Sequence, residues 1–206
     1  TPTCYEEWLD CGDDGLCPGD DGYIEPDGGE GDAEYDSRTE EFLDCGCDRL
    51  CSEDDGYPGA DEGEADGSFQ ALWMAGFQSS RPMNSVHDDL WARAVAFQKG
   101  STTIVVVSLD VVGFFYDHVV EVREAVAARG VDVDHVFITS THVHEAPDTL
   151  GQWGPSPAIR GVDDDWFDDV LANTALAVEQ AVSALQPATL TVGEIDISLD
   201  SVDKGT

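Results

Sequence analysis

The first seventy residues are written twice, and that repetition limits what this part of the chain can become. EEWLDC at 6–11 recurs as EEFLDC at 40–45, and CGDDGLCPGDDGY at 11–23 recurs as CGCDRLCSEDDGY at 45–57, always 34 residues later. The copies span about 5–36 and 39–70. Helical-hairpin repeats share this period, but segments so rich in Gly and Asp carry no apolar stripe, so loop modules are expected. Neither copy buries enough apolar surface to offset ordering its backbone, so each requires staples.

Cysteines supply one kind of staple. All six, Cys4, Cys11, Cys17, Cys45, Cys47 and Cys51, lie in the first quarter of the chain. Their spacings do not reproduce the C-x2-C pairs of structural zinc sites and no His falls among them, so a disulfide framework and an oxidising compartment are expected. Repeat symmetry pairs Cys11 with Cys17 and Cys45 with Cys51, which leaves Cys4 for Cys47. Absence of a leader before Thr1 predicts a processed form of a secreted or cell-surface protein.

Recurring acids supply the other staple. Asp20, Asp21, Asp27, Glu30 and Asp32 reappear as Asp54, Asp55, Asp61, Glu64 and Asp66, and Gly-spaced oxygens of this kind suit Ca2+, although not in the EF-hand spacing. The chain holds 44 Asp plus Glu against 9 Lys plus Arg, a formal charge of −35. Self-repulsion on that scale calls for bound cations and excludes nucleic acid and anionic membrane as partners. No apolar run approaches the ~18 residues of a transmembrane helix.

Near Ser68 the composition becomes that of a globular α/β domain, which sets a boundary between 1–68 and 69–206. Residues 71–77, 90–98, 101–110 and 135–141 read as strands, with 101–110 and 135–141 buried on both faces. Between the last two lies a helix capped by Asp117, with the stripe Val119, Val122 and Val126 and a stop at Gly130. A second helix starts in the acidic turn Asp163 to Asp165 and ends before Pro187, and TLTVGEIDISL at 189–199 reads as a strand bulged at Gly193. The expected fold is α/β: a mixed sheet with a parallel strand-helix-strand unit and packed helices, preceded by a disulfide-rich, metal-stapled loop module.

Both buried strands then end on one edge of the sheet, where open α/β sheets bind ligands. Asp110 and the sequence Thr141-His142-Val143-His144 sit there. In extended backbone His142 and His144 point to one face and can address one metal or one metal-bound substrate. His87, in the loop SVHDDLWAR, is a third candidate, whereas His118 and His135 read as structural.

The succession AGFQSSRPMNSVHDDLWARAVAF, IVVVSLDVVG and FITSTHVHEAPDTLGQWGP resembles, in motif order and spacing, the amino-terminal part of the neutral/alkaline non-lysosomal ceramidases over about residues 70–206. The resemblance implies a secreted zinc-dependent amidohydrolase that cleaves an N-acyl amide of a lipid-like substrate. By the family's T-H-x-H-x-x-P motif, His142 is a zinc ligand and His144 a substrate-binding catalytic residue; Asp110 and His87 remain catalytic candidates from their place at the sheet edge and in the loop. After the second His this chain has Glu145-Ala146-Pro147-Asp148-Thr149 where the family has Ser-Gly-Pro-Gly-Gly. The family's remaining zinc ligands and Ser nucleophile have no counterpart after Ile159. The site is therefore expected to be completed by the remaining portion of the catalytic domain as a second chain, or by copies of this one.

A different class of function fits the same residues: a non-enzymatic extracellular structural or adhesive protein that uses a ceramidase-like fold and assembles through calcium at the acidic repeats. It predicts no metal at His142.

Overall fold

The computed structural model describes residues 5–195. The two repeats form one interlocked unit. Leu9 donates to Glu41 O at 2.9 Å and Leu43 to Glu7 O at 2.8 Å, so EEWLDC and EEFLDC lie antiparallel across a pseudo-dyad, bridged at Trp8 and Phe42. Each copy reaches into the other's cysteine loop: Glu6 accepts the Gly46 N–H at 3.1 Å, and Glu40 accepts the N–H groups of Gly12 and Asp36. Cys11–Cys17 and Cys45–Cys51 close the loops. No free thiol exists among the described residues, and the pairing of Cys4 with Cys47 involves a residue outside them.

The recurring acids recur because they fold the loops. Asp27 accepts backbone N–H groups of Asp13 and Asp14 at 3.1 and 2.9 Å, and Asp61 those of Cys47 and Asp48 at 3.2 and 2.9 Å. Asp20 and Asp54 accept from Cys17 and Cys51, and Asp32 and Asp66 from Glu34 and Ser68. Glu30 and Glu64 take the hydroxyls of Tyr23 and Tyr57; Asp21 and Asp55 are exposed. Gly12 and Gly46 have φ of 71° and 70°, and a Cβ at either would collide with the Asp27 or Asp61 carboxylate. Short polar side chains satisfying turn N–H groups are the standard substitute for regular structure in such loops.

The module also has a small core of its own. Tyr35 packs against Trp8, Phe42 and Phe69 at centroid distances of 5.7, 6.5 and 4.3 Å, and Phe69 leads on to Trp73 at 5.9 Å. This cluster crosses the expected boundary near Ser68, as do the bonds from Glu6 N to Gln70 O and from Tyr35 N to Ser80 O.

The second part is a three-stranded mixed sheet with two helices. β1 (Ala92–Lys99) pairs antiparallel with β2 (Thr102–Leu109), and β2 pairs parallel with β3 (His135–Ser140), in the order β1-β2-β3. α1 (Tyr116–Ala128) lies between β2 and β3 in the chain and α2 (Asp164–Ser183) follows β3. Val105, Val107 and Leu109 meet Val122, Val126, Val136, Ala175 and Val178 in one core. Fully burying one such side chain contributes about 1.5–3 kcal/mol, an upper figure since the unfolded chain is itself partly collapsed.

Four expectations need correction. Residues 71–77 form no strand; they make single bridges, Trp73 to Pro82 and Met74 to Pro147, because they follow two irregular loops. β2 and β3 are covered on one face only, with Val106 and Phe137 exposed on the other. α1 is capped at Phe115 with no side-chain bond, and Asp117 falls in its first turn, whereas Asp163 does cap α2 through Trp166 N at 2.7 Å. Residues 189–195 are not a strand, and 196–199 lie outside the described residues.

Burial raises the Glu40 pKa to about 7, helped by the charges of Asp10 and Asp32, and raises that of Glu6 as well. The folded module therefore holds a proton at Glu40 that the unfolded chain has released. Stability from this group is fully present below the unfolded value near 4.5 and is lost as pH rises through about 7. Thermal unfolding followed at the tyrosines is expected to show a higher midpoint at pH 5 than at pH 7.5, with a weaker dependence in Glu40→Gln. An unchanged dependence in that variant would assign the effect to other acids.

Candidate active site

β3 ends at Ser140, so THVH leaves the sheet at its carboxyl edge. Thr141 N–H still bonds Leu109 O at 2.9 Å and His142 N–H bonds Val111 O at 3.1 Å. At His142 the chain turns: its φ is 62°, a left-handed conformation that costs a non-glycine residue about 1–2 kcal/mol. Such strain persists where surrounding bonds hold it, and it concentrates at functional sites. Here the ring helps to hold it, since His142 Nδ1 lies 2.7 Å from Val112 O.

The extended backbone expected for this segment is therefore absent, yet the two imidazoles still meet. Their centroids are 5.0 Å apart with planes at 74°. His144 rests edge-on against Phe77 at 5.2 Å and over Gly76, where any Cβ would strike the ring. Phe77 is in turn covered by the Arg81 guanidinium at 5.1 Å, and Arg81 approaches Glu145 at 3.8 Å. The loop 76–81 is thus the wall of the histidine pair.

The other two candidates lie on a different surface. Asp110 bonds Trp91 N at 3.2 Å and Arg93 Nη1 at 2.6 Å, which fastens the start of β1 to the end of β2. His87 is 94% exposed and pairs with Asp88 at 2.7 Å. Both line a cleft of about 720 Å3 together with Thr141, Val143 and Glu145. The alternate residues His142 and His144 do not line it. The structure thus pairs His142 with His144 and places His87 with Asp110 in the neighbouring cleft.

Sequence reading missed the residue that organises the loop behind the pair. Asp148 is fully buried, and its carboxylate accepts N–H groups of Leu150, Gly151 and Trp153 at 2.8, 2.9 and 2.9 Å, while Thr149 Oγ1 donates to Gly113 O at 2.6 Å. An Asp followed by Thr-Leu-Gly is a turn signal, but nothing in its spacing tells of burial. Of the two histidines read as structural, His118 bonds Glu121 at 2.9 Å and packs on Phe167, and His135 lies beside Phe137.

The donor set fits zinc in part. A zinc-bound histidine characteristically gives its second ring N–H to a carbonyl, as His142 Nδ1 does to Val112, which leaves Nε2 for a metal. Among the described residues no group of three or more His, Cys, Asp or Glu is arranged to hold a metal, whereas catalytic zinc needs three protein ligands. No helix among them is long and apolar enough to cross a membrane. No family model, curated protein or solved structure matches the chain.

Proposed function

We infer that this chain is part of a secreted, zinc-dependent amidohydrolase of the kind the neutral ceramidases represent, cleaving an N-acyl amide of a lipid-like substrate. The supporting observation is the histidine pair: a strained His142, its Nδ1 on a backbone carbonyl, 5.0 Å from His144 at the carboxyl edge of the sheet. His142 would hold the metal through Nε2, and the further ligands come from outside the described residues, on a second chain or another copy. A zinc ion there supplies Lewis-acid polarisation of the amide carbonyl. His144, fixed by Phe77 and Gly76, is placed to donate a hydrogen bond to that oxygen as charge develops. Asp110 holds the edge in shape through Arg93.

Nuclear magnetic resonance of the five histidines during a Zn2+ titration tests the metal step. The His142 and His144 ring signals are expected to shift together before those of His87, His118 and His135. Zinc that moves the exposed His87 first, or none of them at millimolar concentration, would count against the site.

Calcium at the repeats belongs to the same reading. Asp27 and Asp61 have both oxygens on backbone N–H groups, and Asp66 has its two on Ser68 N–H and the Gln70 amide, but Asp20, Asp32 and Asp54 each accept through one oxygen. The others face solvent in a strongly negative module that a divalent cation would relax. Calorimetry is expected to show Ca2+ uptake at millimolar or lower concentration, together with a higher unfolding midpoint. No heat and no stabilisation at 10-fold higher Ca2+ would remove calcium from the account.

One observation favours the structural reading: among the described residues no third His, Cys, Asp or Glu is grouped with the pair to hold a metal. It predicts calcium-dependent association with no zinc-linked hydrolysis, and sedimentation with and without a chelator separates the two.

A further inference from the structure

Pairing parity shows which backbone groups the sheet leaves open. Asp110 N–H bonds Trp91 O at 3.0 Å, so along the antiparallel ladder Arg93, Val95, Phe97 and Lys99 bond β2, while Ala92, Ala94, Ala96 and Gln98 turn their N–H and C=O groups to the free edge. Thr141 N–H bonds Leu109 O, which by the same alternation turns Val136, Ile138 and Ser140 to the free edge of β3. That edge is guarded, because the Arg123 guanidinium reaches over from α1 and donates to Val136 O at 2.8 Å. Among the described residues nothing bonds the outward groups of β1.

Natural edge strands are blunted by Pro, bulges, inward-pointing charges or cover, and β1 has none of these. Its register against β2 is unbroken from Ala92 to Lys99, and Ala92, Ala94 and Ala96 line its core side. Charge does not defend it either. β1 contains no Asp or Glu in a chain that carries 44 of them, and its own charges, Arg93 and Lys99, are opposite in sign to the chain's. Val95 and Phe97 are exposed beside them.

The sequence of β1 suits a second copy of itself. Two copies pairing antiparallel about a dyad set even-numbered residues opposite even and odd opposite odd, since only the even ones turn their bonding groups outward. The two registers that overlap the strand most fully place either Ala96 or Val95 opposite itself. The first opposes Arg93 to Lys99, a like-charge pair that destabilises. The second opposes Arg93 to Phe97, Val95 to Val95 and Lys99 to Trp91, the residue before the strand, which gives cation–aromatic pairs on both sides of the dyad. In it Ala94 exchanges backbone bonds with Ala96, and Ala92 with Gln98. α2 packs on β2 as well as β1, which sets it back from the edge, and small alanines line the core side of the new pair.

We propose that β1 is a self-association edge, through which two copies of this chain pair antiparallel with Val95 on the dyad and join their sheets into one. A strand edge about 27 Å long buries less than the roughly 800 Å2 that each partner gives to a standard stable complex, so the dimer is weak and reversible. It uses neither the acidic repeats nor the histidine pair, and it stands whether or not either of them binds a metal.

Sedimentation equilibrium of the full chain with a chelator, in about 0.15 M salt to screen the net charge, tests it. A reversible dimer with a dissociation constant between micromolar and millimolar is expected. Ala94→Pro removes an outward N–H that an edge strand can lose without harm, and Val95→Lys sets two ammonium groups opposite each other on the dyad. Each is expected to weaken dimerisation at least about tenfold with an unchanged circular dichroism spectrum. Val95→Cys puts two thiols in a non-hydrogen-bonded pair with Cα atoms about 4.5 Å apart, within reach of a disulfide, and is expected to cross-link the dimer where Phe97→Cys does not. A chain that stays monomeric at about 1 mM would overturn the proposal, as would dimers that survive both substitutions or cross-link better through Phe97→Cys. Dimers that form only with Ca2+ would overturn it in favour of assembly through the repeats.

Discussion

If the chain is part of the proposed zinc amidohydrolase, replacing His142 by Ala is expected to lower N-acyl hydrolysis on the order of 1,000-fold, because a metal that polarises a carbonyl is worth several kcal/mol of barrier. Exchange protection of β1 to β3 should be unchanged, since the residue lies past the end of β3. His142→Gly separates function from folding. Glycine accepts the left-handed backbone at φ 62° without the Cβ clash. The Gly variant is therefore expected to be more stable than the Ala variant by about 1 kcal/mol and equally inactive. Equal stability of the two would mean that the turn at 142 is not strained, and retained hydrolysis in either would remove His142 from the chemistry.

Asp148→Ala is expected to be the most damaging single substitution for stability. It strands three part-buried N–H groups, each costing up to about 1–3 kcal/mol when left unsatisfied, and the loss is expected to reach about 3 kcal/mol even after partial relaxation. Loop 148–153 also supports Ala146 and Pro147, which pair with Ala75 and Met74 beside the His144 wall. The damage should therefore spread to the histidine pair: the ring signals of His142 and His144 should lose their distinct shifts while those of His135 stay in place. Asp148→Asn keeps one acceptor oxygen and should recover part of the stability. Chemical denaturation that finds Asp148→Ala within 1 kcal/mol of the unsubstituted chain would mean that water replaces the carboxylate.

What the sequence made legible follows from periodicity and symmetry. Apolar runs at 101–110 and 135–141, the stripe Val119, Val122 and Val126, and the acidic start of α2 each announce an element whose burial depends on nearby residues, and each is present. The strict offset of 34 foretold the two described disulfides, since equal spacing in equal surroundings gives equal geometry. Exchange between copies was not legible, because Glu6 and Glu40 act at separations of 40 and 28 residues on loops that no local pattern connects. The histidine pair was found for a reason that the backbone does not obey. Alternation along an extended strand predicted a shared face, whereas a left-handed turn at His142 brings the rings together. Asp148 and Gly76 escaped notice because their importance lies in what packs on them.

Native mass spectrometry of catalytically competent material, unsubstituted and as His142→Ala, tests the central claim most directly. The account predicts one zinc per active site in the first, none in the second, and loss of N-acyl hydrolysis with the metal. Zinc retained at full occupancy in His142→Ala, or hydrolysis that persists without zinc, would contradict it.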